Sequence, residues 1–186
     1  MAAFIGRALA EQELDTTVAH ASELELPDDS PVWDRVPETL TGDQALEWGV
    51  ELADPLSAIE PGVVYQVRAA LSFAVREHQR TTAAHQALLQ LDGARESQLR
   101  KVGRLMRASH DGYGTMGLGS PPTDRIVEVL DAVGPEGGVY GSRVSGGGSG
   151  GTVVVLATTA AIECLPELAR QAGLPPPELA RISRAR

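Results

Sequence analysis

Cysteine, lysine and aromatic residues are scarce in this sequence, and each scarcity removes a class of chemistry. One cysteine, Cys164, stands among 186 residues, so no intramolecular disulfide can form and nothing points to an oxidising compartment. The expectation for Cys164 is a buried structural thiol rather than a nucleophile. Lys101 is the only lysine among sixteen basic residues, which leaves a lysine-dependent phosphate or Schiff-base mechanism a single candidate. Aromatics make up 4% of the chain, so the core must rest on Leu, Val, Ala and Ile. No apolar run approaches the roughly eighteen residues that span a bilayer, and the first residues lack a basic segment followed by an apolar one. Positive charge is also in deficit: a net charge of -9 argues against a general nucleic-acid or anionic-membrane binder. A cytoplasmic protein with neither nucleic acid nor membrane as partner is expected.

The chain is long enough for one good core. It opens with a helical apolar pattern at Phe4, Ile5, Ala8 and Leu9 that lacks a capping segment, as though a helix were entered partway. An acidic, proline-broken stretch follows, in which Thr41 is placed to cap a short helix through Trp48. A turn at Pro61 and Gly62 then leads into a strand near Val63 to Val67. Two helices follow, Leu71 to Leu91 and about Ala94 to His110, with a turn at Gly93. A second glycine-rich loop, Asp111 to Pro122, precedes a helix whose core positions are Ile126, Val127, Leu130 and Val133, capped by Ser120 or Thr123. Strands are expected at Val139 to Ser145 and Thr152 to Thr158, then a helix near Leu165 to Ala172. The order is strand, helices, strand, strand, helix. One more strand would complete a split β-α-β sandwich, and the proline-rich end does not supply it.

Between the last two strands lie Gly146, Gly147, Gly148, Ser149, Gly150 and Gly151. They contain G-x-G-x-x-G, but a dinucleotide fingerprint requires a helix after the glycines and here a β-branched run follows. Thr152 stands where a phosphate-binding P-loop needs lysine. Two readings remain. The segment is a hairpin turn, or it is a nest of backbone N–H groups for phosphate oxygens; it holds more glycine than a tight turn needs. The histidines show no metal-ligand spacing, and His78 to His85 is the wrong interval for a helical pair, so no metal site is expected.

The stretch "YGSRVSGGGSGGTVVVLA" resembles the third motif of the GHMP small-molecule kinases. "GRLMRASHDGYGTMGLGSPPTDRIVEVL" and "YQVRAALSFAVREHQR" are similar to blocks that precede it in the galactokinase and arabinokinase branches, and "AAFIGR" matches a mid-chain segment of the latter. The resemblance implies an α+β, ferredoxin-like C-terminal domain, an antiparallel sheet packed against helices with its last strand missing. The resemblance covers nearly everything from Ala2 to about Ala172, and that domain is expected over residues 62–173, with a partial helix and irregular segment over 1–61 and a tail over 174–186. It implies the C-terminal half of a kinase that transfers a phosphoryl group from ATP, with Mg²⁺, to a sugar hydroxyl. The nucleotide-binding motif and catalytic aspartate of the family are not found in the chain. No catalytic residue is therefore assigned, and ATP and Mg²⁺ would be held mainly by an N-terminal half. That half, or self-association through the face it would cover, is the expected partner alongside the sugar. A non-catalytic sugar-phosphate or partner-binding module and an inactive remnant are the alternatives. The resemblance favours a phosphate- or substrate-facing role for Gly146 to Gly151. It gives Tyr113, Ser120 and Asp124 a possible contact with substrate or the other half, against helix capping for the last two. His110 is expected to hydrogen-bond structurally, and Arg143 to form a surface salt bridge unless the loop binds phosphate.

Overall fold

The computed structural model describes residues 21–24, 26–50 and 58–178. The apolar pattern at Phe4 to Leu9, His20 and the last eight residues of the expected tail lie outside them. The chain divides into two compact units, residues 1–86 with 111–118 and residues 87–110 with 119–186.

In the first unit, Thr41 is a helix N-cap, as its place in the sequence predicts. Its hydroxyl accepts from the Gln44 N–H at 3.3 Å while the Gln44 side chain accepts from the Thr41 N–H at 2.9 Å, a reciprocal capping box. The short elements here are α1 (Val32–Arg35), β1 (Leu40–Thr41), α2 (Gly42–Glu47) and β2 (Val64–Tyr65). Leu40 faces Tyr65 and Thr41 faces Val64 in an antiparallel pair. The expected strand at Val63 to Val67 is thus only two residues long, and α3 (Val67–Leu89) starts at Val67 rather than Leu71. Val67, Leu71 and Val75 fall at helical spacing into the core with Leu26, Val32, Val36, Leu40 and Ala45. The Arg68 guanidinium donates to the Val36 carbonyl through Nε at 2.9 Å and Nη2 at 2.7 Å, tying the first turn of α3 to the end of α1.

A second difference concerns the expected glycine-rich loop from Asp111. The helix α4 (Leu91–Thr115), whose backbone is non-helical at Ala94 near the expected break, continues through Gly112 and Gly114. Gly112 is the reason it can. A Cβ there would lie 2.6 Å from the Phe73 ring, and the next residue, Tyr113, meets that ring edge-on with centroids 5.0 Å apart. The true loop is only Met116 to Ser120.

The second unit carries α5 (Pro121–Val133), β3 (Val139–Ser145), β4 (Thr152–Ala157) and α6 (Thr159–Gln171). β3 and β4 form an antiparallel hairpin that closes at Ser145 opposite Thr152 and has a bulge between Val139 and Gly141. The helices cover one face of it: Leu130, Ala161 and Leu165 pack with Val139, Val153, Val155 and Ala157. Two two-stranded antiparallel sheets with helices make the described chain α+β, and no further strand occurs among the described residues.

The helix α6 begins at Thr159, earlier than expected, because the Thr158 hydroxyl accepts from the Ala161 N–H at 3.2 Å. Its buried stripe is Ala161, Leu165 and Ala169. Cys164 lies one position off that stripe and is exposed, which corrects the expectation of a buried thiol.

Candidate functional site

The β-hairpin holds its glycines in a loop much longer than a turn requires. Six residues separate Ser145 from Thr152, whereas a two-residue connection suffices to reverse a hairpin. Gly146, Gly148, Gly150 and Gly151 have φ of 96°, 87°, 122° and 101°, and Ser149 joins them at 58°. Glycine makes that left-handed path accessible at little steric cost. Among the described residues, the N–H groups of Gly147, Gly148, Ser149, Gly150 and Gly151 have no hydrogen-bond acceptor. Consecutive amide donors in such a conformation form a concave surface of positive potential.

Ser120 borders this loop. A Cβ on Gly150 would lie 3.7 Å from the Ser120 Oγ. Ser120 is 9% exposed, sits at the N-cap of α5 and makes no side-chain capping bond. The capping duties fall elsewhere: its carbonyl accepts from the Thr123 hydroxyl at 2.9 Å and from the Asp124 N–H at 2.9 Å. The hydroxyl is thus left to face the loop, without a partner among the described residues. The helix end itself is a poor anion site, since Pro121 and Pro122 lack N–H groups.

Asp124, in the first turn of α5, has a side chain 45% exposed, and its Oδ1 lies 3.3 Å from Nε2 of His110. The other ring nitrogen of His110, Nδ1, accepts from the Val144 N–H at 3.4 Å. An accepting Nδ1 is unprotonated, so the neutral ring carries its proton on Nε2, toward the carboxylate. His110 therefore has the hydrogen-bonding role expected of it. Its link to Asp124 has no signal in the sequence, because a loop and a helix cap separate the two residues. The half-buried Arg143 donates through Nε to the Val144 carbonyl at 2.9 Å.

Ser120, Asp124 and the glycine loop belong to one compact unit; Tyr113 belongs to the other and is a helical residue that meets the Phe73 ring edge-on. Its expected position in a loop is corrected accordingly. An apolar cavity of about 350 Å³, lined by Val153, Val155, Leu165 and Leu168, opens beside Gly151 and Thr152. A cleft of about 590 Å³ in the first unit, lined by His78, Gln79, Thr82 and Gln86, contains none of these residues. Among the described residues, no three His, Cys, Asp or Glu side chains converge to hold a metal ion.

A β-hairpin with a long glycine loop, backed by helices and bordered by a serine at a helix cap, defines an α+β domain with one glycine-rich edge. Residues 87–174 match the family described as GHMP kinases C terminal. Over 129 residues the chain is 31% identical to the L-arabinokinase of Arabidopsis thaliana, a stretch that is 66% of this chain and 12% of that protein. Residues 87–174 are a GHMP kinase C-terminal domain.

Proposed function

We propose that the chain supplies the C-terminal wall of an ATP-dependent sugar kinase of arabinokinase or galactokinase type, completed by an N-terminal half. The observation that carries this is the run of five unsatisfied amides from Gly147 to Gly151 beside the Ser120 hydroxyl. In phosphoryl transfer the sugar oxygen bonds to the γ-phosphorus, the bridging P–O bond to ADP breaks, and charge spreads over the three transferred oxygens. Preorganised N–H donors stabilise such charge without reorganising. Asp124 is a poor neighbour for a phosphate. It is a good acceptor for a sugar hydroxyl, so phosphoryl oxygens are assigned to the loop and hydroxyls to Ser120 and Asp124. The likeness to an L-arabinokinase supports a sugar as acceptor.

The proton leaving the sugar hydroxyl and the adenine moiety are assigned to the N-terminal half, because neither the nucleotide motif nor the aspartate is found in this sequence. Mg²⁺ would neutralise phosphate charge when it arrives with ATP; no described cluster of side chains is built to hold it. The second reading, a non-catalytic sugar-phosphate module, draws on the same unit holding the loop, Ser120 and Asp124.

Calorimetric titration with a sugar 1-phosphate and with ATP plus Mg²⁺ tests the assignment. Weak binding abolished by Gly148→Val supports it, since a β-branched residue is strongly disfavoured at φ 87°. Binding unaffected by Gly148→Val would overturn it. Tight binding of the sugar phosphate alone would favour the module.

A further inference from the structure

We infer that His110 is a positioning residue for the glycine loop, acting from α4 on both the root of the loop and the carboxylate beside it. In an antiparallel pair, alternate residues direct their N–H and C=O groups away from the partner strand. Val144 is such a residue, opposite Val153, and it stands two positions before the first loop glycine. Its outward N–H would be an unsatisfied buried donor, which costs more than a net hydrogen bond contributes. His110, 7% exposed, accepts that N–H through Nδ1 and directs Nε2–H toward Asp124.

One imidazole thus joins three elements: α4, which carries it, β3, which leads into the loop, and the first turn of α5, which carries Asp124 and follows the N-cap Ser120. The neighbouring groups contribute to the same closure. Arg143 occupies the Val144 carbonyl, and farther along the same edge Gly103 of α4 lies against the Tyr140 carbonyl. The edge of β3 is therefore closed by α4. Nothing comparable is present within the loop itself from Gly147 to Gly151, so its path is set at its roots. The positioned carboxylate keeps one oxygen on His110 and leaves the other without a partner among the described residues.

This inference rests on the kinase reading only for what the positioned loop binds, and its test requires no ligand. Amide hydrogen exchange reports local opening residue by residue. In the 186-residue chain, His110→Leu keeps an apolar side chain in the space but removes both hydrogen bonds. Exchange at Val144 is expected to rise about five- to tenfold, the factor that one lost net hydrogen bond gives, with exchange in the first unit unchanged. His110→Gln, whose amide can accept from Val144 and donate to Asp124, is expected to restore most of the protection. Should His110→Leu fail to fold, Asp124→Ala, changing a half-exposed side chain, tests the other end and is expected to raise exchange at Val144 in the same direction. Equal exchange in the Leu and Gln variants would reduce His110 to packing and overturn the inference. So would an unchanged rate at Val144 in Asp124→Ala and His110→Leu alike. Positioning confirmed by exchange, together with no ligand binding, would leave the inference standing and remove the kinase reading instead.

Discussion

A methyl group on Gly103 would lie 1.7 Å from the Tyr140 carbonyl oxygen, and one on Gly141 would lie 2.5 Å from the Gly103 Cα. These two glycines let α4 approach the backbone of β3 within hydrogen-bonding reach of His110. Helix propensity alone would make Gly103→Ala stabilising by about 1 kcal/mol. The contact reverses the sign: overpacking against backbone costs about 1–3 kcal/mol, and Gly103→Ala is expected to lower the denaturant midpoint. Gly147→Ala is the control. Its Cβ meets nothing within 4 Å, so a change within about 0.5 kcal/mol is expected. A Gly103→Ala variant as stable as the native chain would show that the approach of α4 to β3 is wrong. Which glycine has this task was not legible in the sequence, since Gly103 reads there as one small residue on a helix. Cys164 was misjudged for a similar reason: the composition of a lone cysteine suggests burial, and only the register of α6 turns it outward.

At the scale of elements, the β3–β4 hairpin was legible almost residue for residue, because β-branched runs flanking glycine have no competing local structure. The capped start of α2 was equally legible. The helix through Gly112 and Gly114 was not, because glycine punctuates locally and its retention depends on Phe73, distant in sequence. The contact of α4 with β3 carries a further prediction. Tyr140 donates its hydroxyl to Glu96 at 2.7 Å, and Glu96 also accepts from Arg100 at 2.7 Å. The bond to Glu96 raises the Tyr140 pKa, and the bonds from Tyr140 and Arg100 lower that of Glu96. A raised tyrosine contributes stability that is fully present below its unfolded pKa and lost as pH rises through the folded one. The lowered carboxyl contributes stability present above its unfolded pKa and lost as pH falls through the folded one. The bridge is therefore intact between the carboxylate and phenol ranges and fails outside them. Glu96→Gln is expected to move the ionisation of Tyr140, identified by its loss in Tyr140→Phe, to lower pH in an ultraviolet titration. An unmoved ionisation would contradict the pairing.

At the scale of the whole molecule, the acidic balance of -9 and the absence, among the described residues, of any helix long and apolar enough to cross a membrane place no further constraint on the chemistry. The constraint comes from where the site residues fall. The glycine loop, Ser120, Asp124 and His110 all belong to the unit that contains most of the stretch matching the GHMP kinase C-terminal family. The loop was legible as an anion or hairpin loop from its glycines; its left-handed path, its spare amides and the orphan Ser120 hydroxyl required three dimensions. The most direct measurement is a nuclear magnetic resonance titration of the labelled chain with a sugar 1-phosphate and with ATP plus Mg²⁺, followed at the backbone amides. Saturable shifts are expected, concentrated at Gly147 to Gly151 and extending to Ser120 and Asp124, weak in the absence of the opposite wall. Shifts confined to other parts of the chain, or none up to millimolar ligand, would contradict the assignment of this loop as the phosphoryl-facing wall.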